Sequence, residues 1–315
     1  MSNIVFGPVP SRRLGRSLGI NNIPPKVCSY SCVYCQLGRT TNLSVERRRF
    51  YDPSKIIEEV KERIKHLRES GEKIDYITFV PDGEPTLDIN LHEEIKELKK
   101  LGIKLAILTN SSLIWMEDVR KDLRMFDLVS LKIDAVDPNI WKRINRPHPE
   151  ISLEKVMHGI LDFSDEFKGK LLTETMLIRR YNDQRNHIEK LADFIEEIKP
   201  SKAYISIPTR PPAEKGIKGS IEENLNLAYQ VFLEKGINVE LLTGFEGDKF
   251  SILQDLEGDI LSITSVHPLR EDVLLKLLAR SGKSQEIIDK LIRDKKLKRV
   301  RYCGKNFFIR RFEYR

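Results

Sequence analysis

The chain has 315 residues, 40% hydrophobic and 32% charged, enough for one large domain or a large one with a small companion. The composition excludes collagenous, low-complexity and disordered chains. No apolar run approaches the ~18–20 residues of a membrane span and the first twenty residues hold no signal-peptide core, so a cytoplasmic protein with no membrane partner is expected. The net charge of +7 is unevenly placed: residues 256–315 hold 15 basic and 8 acidic side chains, leaving 39 of each in residues 1–255.

After an irregular opening, a first strand is expected near 14–20. Asp52-Pro53 is a helix start, and Ile57, Val60, Ile64 and Leu67 then recur on one helical face. Residues 74–80 read as a buried strand, 90–100 as a helix and 104–109 as a strand. The alternation continues with a helix at 116–124, strand 127–133, helix 152–163, strand 171–178, helix 186–198, strand 203–207, helix 221–234 and strand 237–242. About six strand–helix units and a closing strand imply an α/β fold with parallel pairing and right-handed crossovers. Period alone does not separate a doubly wound sheet from a barrel, but in both the chemistry sits at the carboxyl ends of the strands.

The rhythm breaks near 250, which divides the chain into 1–250 and 251–315. Helices at 271–280 and 285–295, then strands at 298–303 and 306–312 joined by Gly304-Lys305, outline a small winged-helix domain.

Cys28, Cys32 and Cys35 crowd into eight residues just after the first expected strand. That is a poor disulfide framework and a good metal-ligand set. Structural zinc takes four ligands, and the fourth cysteine, Cys303, lies far off in the expected hairpin; a zinc-stabilised loop stays the alternative. A four-iron cluster normally takes four thiolates. Held by three, it keeps one iron open, which is a catalytic arrangement.

The CxxxCxxC spacing, with Tyr34 before the last cysteine, resembles the signature of the radical S-adenosylmethionine (SAM) superfamily. The resemblance implies a partial (β/α)6 TIM-type barrel whose [4Fe-4S] cluster sits on Cys28, Cys32 and Cys35. It implies that SAM chelates the open iron and is cleaved by one electron to methionine and a 5′-deoxyadenosyl radical, which takes hydrogen from a substrate. A low-potential electron donor of the flavodoxin or ferredoxin type is the implied partner, and the enzyme would be an oxidoreductase or transferase.

Pro81-Asp82-Gly83-Glu84-Pro85 resembles the superfamily's GGE segment, which implies that Asp82, Gly83 and Glu84 bind the methionine ammonium. Asp82 stands where Gly is usual and narrows the backbone's freedom. Asn110 ends the third strand, and Ser130, Lys132 and Asp134 end the fourth, where family members contact the rest of the cofactor. By that resemblance Lys132 meets the methionine carboxylate and Asp134 the ribose hydroxyls. Charged groups at the end of an apolar strand are costly unless paired or functional; the alternative is ordinary strand-end polarity. Glu174 interrupts an apolar run and reads either as a site residue or as the partner of a barrel arginine.

Two further stretches, Phe6-Gly7-Pro8-Val9-Pro10-Ser11-Arg12-Arg13 and Arg143-Ile144-Asn145-Arg146-Pro147, resemble the branch grouped with tRNA wyosine-base synthases. Those synthases carry a second cluster on cysteines upstream of the first. No cysteine precedes Cys28 here, so their reaction is not carried over. The activases of glycyl radical enzymes also use CxxxCxxC, and Ser130-x-Lys132 is near their Asp-x-Lys pattern, so a protein substrate is the alternative. A third class is an iron–sulfur redox sensor that reads DNA.

Residues 295–315 carry nine basic side chains against one acid, Glu313. Clustered Lys and Arg on a wing are the footprint expected of phosphate contact, which makes tRNA or another nucleic acid the expected partner, against a docking or lid role. Cys303 is expected to be a small buried hydrophobe. No catalytic side chain is singled out.

Overall fold

The computed structural model describes residues 4–243, 256–266, 268–302 and 304–311. An antiparallel hairpin, β1 (Val5–Ser11) and β2 (Gly15–Ile20), is followed by a short parallel pair, β3 (Val27–Cys28) and β4 (Asn42–Leu43). The alternation then runs α1 (Pro53–Glu69), β5 (Tyr76–Phe79), α2 (Leu91–Lys99), β6 (Lys104–Thr109), α3 (Glu117–Leu123), β7 (Leu128–Lys132), α4 (Pro138–Asn145), α5 (Leu153–Glu166), β8 (Lys170–Met176), α6 (Arg185–Ile198), β9 (Lys202–Ser206), α7 (Glu222–Glu234) and β10 (Val239–Leu242). The local causes are those read from the residues. Asp52, extended, accepts from Ser54 N at 2.9 Å with Pro53 at the first helical position, and Ile56, Ile57, Val60, Ile64 and Leu67 bury one face of α1.

One sheet takes the order β1-β2-β5-β6-β7-β8-β9-β10, parallel from β2 onward. Each parallel strand lies beside its sequence neighbour, so the crossovers never reverse. A doubly wound sheet needs such a reversal; a barrel wall does not. The α/β fold is therefore a partial barrel of the TIM type, with six strand–helix units and a closing strand, as expected.

Strand alternation separates the two faces. On β6, Leu105 and Ile107 join the large core under the helices, whereas Ala106 and Leu108 join a smaller cluster with Leu14, Leu128, Leu172, Tyr204 and Leu242. That second cluster fills the lower lumen. The next residues of the same parity, Ser130 and Lys132 on β7, Glu174 on β8 and Ser206 on β9, make the layer above it polar.

Two elements of the barrel escaped the sequence reading. β1 was hidden by Pro8 and Pro10, which argue against a central strand; as an edge strand with a register shift between Phe6 and Val9, it tolerates both. α4 is only eight residues long, started by Asp137, whose side chain accepts from Asn139 N and Ile140 N at 2.9 and 3.0 Å.

Beyond the barrel come α8 (Leu256–Val266), β11 (Leu269–Arg270), α9 (Glu271–Ser281), α10 (Glu286–Arg293), β12 (Leu297–Tyr302) and β13 (Lys305–Arg310). α8 was not anticipated. The three strands pair in the order β11-β13-β12, over a core that includes Ile260, Leu274, Leu277, Leu291, Leu297 and Phe308. Tyr302 pairs with Lys305, so Lys305 belongs to the strand and not to the turn where it was expected. The expected boundary at 250/251 and Cys303 lie outside the described residues. This core leans on β1: Val9 packs against it, and Arg63 of α1 donates both to Gly7 O, at 2.6 Å, and to Asp259 Oδ1 of α8, at 2.8 Å. Among the described residues no helix is long and apolar enough to cross a membrane.

Under the barrel wall, Glu94 of α2 is fully buried, and neither of its oxygens receives a hydrogen bond among the described residues. Burial, and then the neighbouring Asp88, push its carboxyl up, so it holds a proton that it shares with Asp88. A raised carboxyl stabilises the fold below the ordinary carboxylate range, and that contribution is lost as pH rises. Glu94→Gln mimics the protonated form. Its melting temperature is expected to match or exceed the parent's at pH 5 and to exceed it by a wider margin at pH 8; an equal margin at both pH values would contradict the shared proton.

Candidate active site

The three cysteines lie on the long loop that leaves the carboxyl end of β2, and backbone bonds hold that loop from two sides. On one side, Lys26 N donates to Asp82 O at 2.8 Å and Glu84 N to Val27 O at 3.2 Å. A Cβ on Gly83 would sit 1.8 Å from the Val27 carbonyl oxygen, so no side chain fits where these two loops touch. On the other side runs the segment 144–148. Ser31 N donates to Asn145 O (3.0 Å), Val33 N to Ile144 O (2.9 Å) and His148 N to Ser29 O (2.9 Å), and Tyr30 bridges Pro147. Tyr30 is buried edge-on against Trp141, ring centroids 5.8 Å apart. The Arg143–Pro147 stretch singled out in the sequence is thus the wall behind the cysteines.

Two side-chain amides address the sulfurs. Asn110 Nδ2 donates to Cys28 Sγ and Asn145 Nδ2 to Cys32 Sγ, each at 3.5 Å. Burial is the main reason all three thiols rise, Cys32 to about 12. The thiols therefore stay protonated until a metal displaces their protons. Among the described residues no three His, Cys, Asp or Glu side chains close around a single ion. Three thiols on one loop, with amide donors aimed at two of them, fit an iron–sulfur cluster, where hydrogen bonds to sulfur tune the potential.

Glu84 is buried and fully used within the protein. Its Oε1 accepts from Thr86 N and from the Thr86 and Thr109 hydroxyls at 3.1, 2.6 and 2.6 Å, and its Oε2 from Asn110 N at 2.7 Å. It ties the end of β5 to the end of β6 and sets Asn110 in place. Asp82 has an ordinary negative φ, so the departure from Gly brings no left-handed strain. Asn21 Nδ2 donates to its Oδ2 at 3.0 Å, while Oδ1 is buried without a donor, and burial pushes the carboxyl up to about 8.

Asp134 is held by three donors: the Tyr34 hydroxyl, Asn145 Nδ2 at 2.7 Å and Met176 N at 2.9 Å. It links the cysteine loop to the ends of β7 and β8. Lys132 lies 2.9 Å from Glu174 and 5.3 Å over the Tyr34 ring. Glu174 also pairs with Arg13 and accepts from Ser206 Oγ at 3.1 Å, which makes it the partner of a barrel arginine and of Lys132 together. Ser130 is buried within β7.

Cys28, Cys32, Asp82, Gly83, Glu84, Asn110, Lys132 and Asp134 are thus joined in one set of contacts, with Cys35 N bonded to Cys32 O at 3.1 Å. Sequence reasoning missed Asn145, Ser29 and Ser112. Asn145 was inside a flagged motif, but nothing local pointed its amide at a sulfur. Ser29 and Ser112 share a 2.5 Å hydrogen bond that only the fold brings about. The hairpin β12–β13 also reaches this end of the barrel: Tyr302 OH donates to Pro208 O at 3.0 Å, and Arg310 carries its charge toward Asp82.

Asp82 Oδ1, Ser111 Oγ and Asn145 Oδ1 are buried here with no partner among the described residues, as is Arg310 Nη1. Unmet groups of this kind cost about 1–3 kcal/mol each. A polar ligand such as SAM, lying over the strand ends, fits them.

A parallel barrel with a three-cysteine loop at its carboxyl face defines a class of enzyme. The radical SAM superfamily model matches residues 22–195, and the chain belongs to that superfamily, whose cofactors are a [4Fe-4S] cluster and SAM. It is 51% identical over 314 residues to the UPF0026 protein MJ1312 of Methanocaldococcus jannaschii, covering 99% of this chain and 97% of that one, which places it among the UPF0026 proteins. It is also 27% identical to the dual-specificity RNA methyltransferase RlmN of Buchnera aphidicola, over 75% of this chain and 66% of that one. Among solved structures, TYW1 with a lysine-pyruvate adduct bound shares the fold, with a TM-score of 0.52 and 19% identity over 69% of this chain and 72% of that one. The protein is a radical SAM enzyme.

Proposed function

We propose that this enzyme takes a hydrogen atom from a nucleic-acid substrate, using a cluster held by Cys28, Cys32 and Cys35 and SAM held across the ends of β5, β6 and β7. The observation that carries this reading is the cysteine loop itself, braced by 82–84 and 144–148, with Asn110 and Asn145 aimed at two of its sulfurs. When bound, the two cofactors supply a one-electron cleavage that yields a carbon radical able to take hydrogen from an unactivated C–H bond.

The chain's own residues prepare that event. Gly83 lets the loop after β5 lie against the cysteine loop, and Glu84 fixes Asn110. Asp82 Oδ1 and the backbone of 82–84 offer acceptors to an ammonium. Lys132, pinned by Glu174, keeps a positive charge near the position of a carboxylate. Asp134 holds Tyr34 and Asn145 so that the cysteine loop keeps its shape. The apolar lower lumen seals the site from below, which keeps water from a reactive radical. A low-potential donor of the flavodoxin or ferredoxin type would supply the electron.

The nucleic-acid part is supported by the basic strand β12, whose Lys298, Arg299 and Arg301 are exposed, and by a relative whose name records action on RNA. The test is isotopic. The reconstituted, reduced enzyme is given SAM and RNA from cells grown in deuterated medium, and deuterium is expected in the 5′-deoxyadenosine released. Deuterium arriving only from a deuterated protein extract would overturn the nucleic-acid reading in favour of a protein substrate.

A further inference from the structure

Beside the cysteine loop, outside the set of groups described above, the loop after β8 and the starts of α6 and α7 enclose a cleft of about 420 Å³ lined by Arg179, Arg180, Asp183, Gln184, Arg185 and Asn224, with Ile221 and Leu227. We infer that this cleft binds phosphate groups of the substrate's backbone and so seats a nucleic-acid strand beside the barrel mouth. The inference rests on the nucleic-acid reading above and gives that substrate a docking point away from the basic C-terminal strand.

Three observations converge. Arg179, Arg180 and Arg185 are exposed around one concavity, and the side chains of Arg179 and Arg180 have no hydrogen-bond or ion-pair partner among the described residues. Arg185 has only an exposed 3.2 Å pairing with Glu189, which is worth little. Lys218, whose carbonyl accepts from Arg179 N at 3.0 Å, is exposed next to them. Arginine forks suit phosphate oxygens.

The arginine display is also built into the fold. Arg180 has φ +65°, a left-handed conformation that costs a non-glycine residue about 1–2 kcal/mol. Asp183, 3% exposed, maintains it: Oδ1 accepts from Arg180 N at 2.8 Å, and Oδ2 accepts from Ser220 Oγ and Asn224 Nδ2 at 2.9 and 3.0 Å. A buried carboxylate therefore holds the turn and leaves the guanidinium outside.

The cleft is joined to the chemistry by packing. Ile178, next to Arg179, shares a small buried cluster with Val33 of the cysteine loop, Ile144 and Ile217, flanked by Tyr34 and Tyr181. Arg143 lies 4.8 Å over the Tyr181 ring, adding a fourth guanidinium to this side. The β9–α7 loop touches both basic elements: Lys218 O accepts from Arg179 N, and Pro208 O accepts from Tyr302 OH of β12.

The test uses reconstituted enzyme and fluorescein-labelled unfractionated tRNA, with anisotropy read between about 50 and 200 mM KCl. Arg179→Gln/Arg180→Gln is expected to weaken binding about tenfold or more and to lower the slope of log affinity against log salt by about 2. Iron content and SAM cleavage without RNA should stay at the parent level, and Arg179→Lys/Arg180→Lys should recover much of the affinity. If the Gln variant loses iron or melts early, Arg179→Gln alone, which leaves the left-handed residue intact, takes its place, with a slope change of about 1. Parent-like affinity and slope in an iron-replete Gln variant would overturn the cleft while leaving the nucleic-acid reading standing. A parent enzyme that does not bind tRNA, or that binds polyglutamate more tightly, would overturn both. Inorganic phosphate or AMP competing as well as tRNA at equal phosphate concentration would make the cleft a small-anion site and contradict the docking role.

Discussion

Replacing Cys28, Cys32 or Cys35 with alanine is expected to remove the bound iron and reduce 5′-deoxyadenosine formation to background, while Cys303→Ala keeps both near the parent level. A cluster on three thiolates has none to spare, because the fourth corner is the one the cofactor needs. Glu84 and Asp134 do not stand in for a lost thiolate, because their carboxylates are already committed to four and three hydrogen bonds. Releasing either would unfasten the loop that presents the sulfurs. Iron and sulfide per chain, measured after anaerobic reconstitution, check the prediction. Iron loss in Cys303→Ala would show that all four corners are occupied by protein and that no open iron exists.

Glu174→Ala should be the most damaging single change in the barrel interior. Burial alone raises this carboxyl, but Arg13 and then Lys132 outweigh it and hold it at about 2. Removing it leaves two cations facing each other in a lumen where the three side chains are only 14–17% exposed. Breaking a buried pair in this way costs about 3–5 kcal/mol, a fall in melting temperature on the order of 10 °C. Glu174→Gln, which keeps an acceptor for Lys132 and Ser206, should lose less. The depressed carboxyl also sets the acid limb: its stabilisation is present above the ordinary carboxylate range and is lost as pH falls toward about 2. The gap between parent and Glu174→Ala should therefore narrow from pH 7 to pH 3, and a constant gap would contradict the ion network. Lys132 should also drift once unpinned, so SAM affinity should fall in the same variant.

The strand–helix alternation was legible because its signals are local and repeated, whereas its closing as a barrel wall was implied only by the family resemblance. Apolar periodicity switched between 2 and 3.6 along the chain, and Asp52-Pro53 marked α1 as its chemistry requires. The cysteine loop was legible for the same reason, since its spacing is short. What stayed hidden depended on pairing across the sheet. Pro8 and Pro10 read as an irregular opening because a strand's edge position is not written in its own residues. Glu174 could be read in two ways until the β7–β8 register set Lys132 against it. Asp134 and Glu84 were read as cofactor ligands from the family resemblance; the structure places them at the strand ends and shows their oxygens bracing the loops that carry Tyr34, Asn145 and Asn110. Asn145, more than a hundred residues from Cys32, could be matched to that sulfur only by the fold.

Radical SAM chemistry is tested most directly by reading iron content and SAM cleavage on one sample. Enzyme carrying a full complement of four irons and four sulfides per chain is reduced anaerobically with dithionite and given SAM. Methionine and 5′-deoxyadenosine are expected in equal amounts, absent when the reductant is left out. A fully loaded, reduced enzyme that leaves SAM intact would contradict that chemistry.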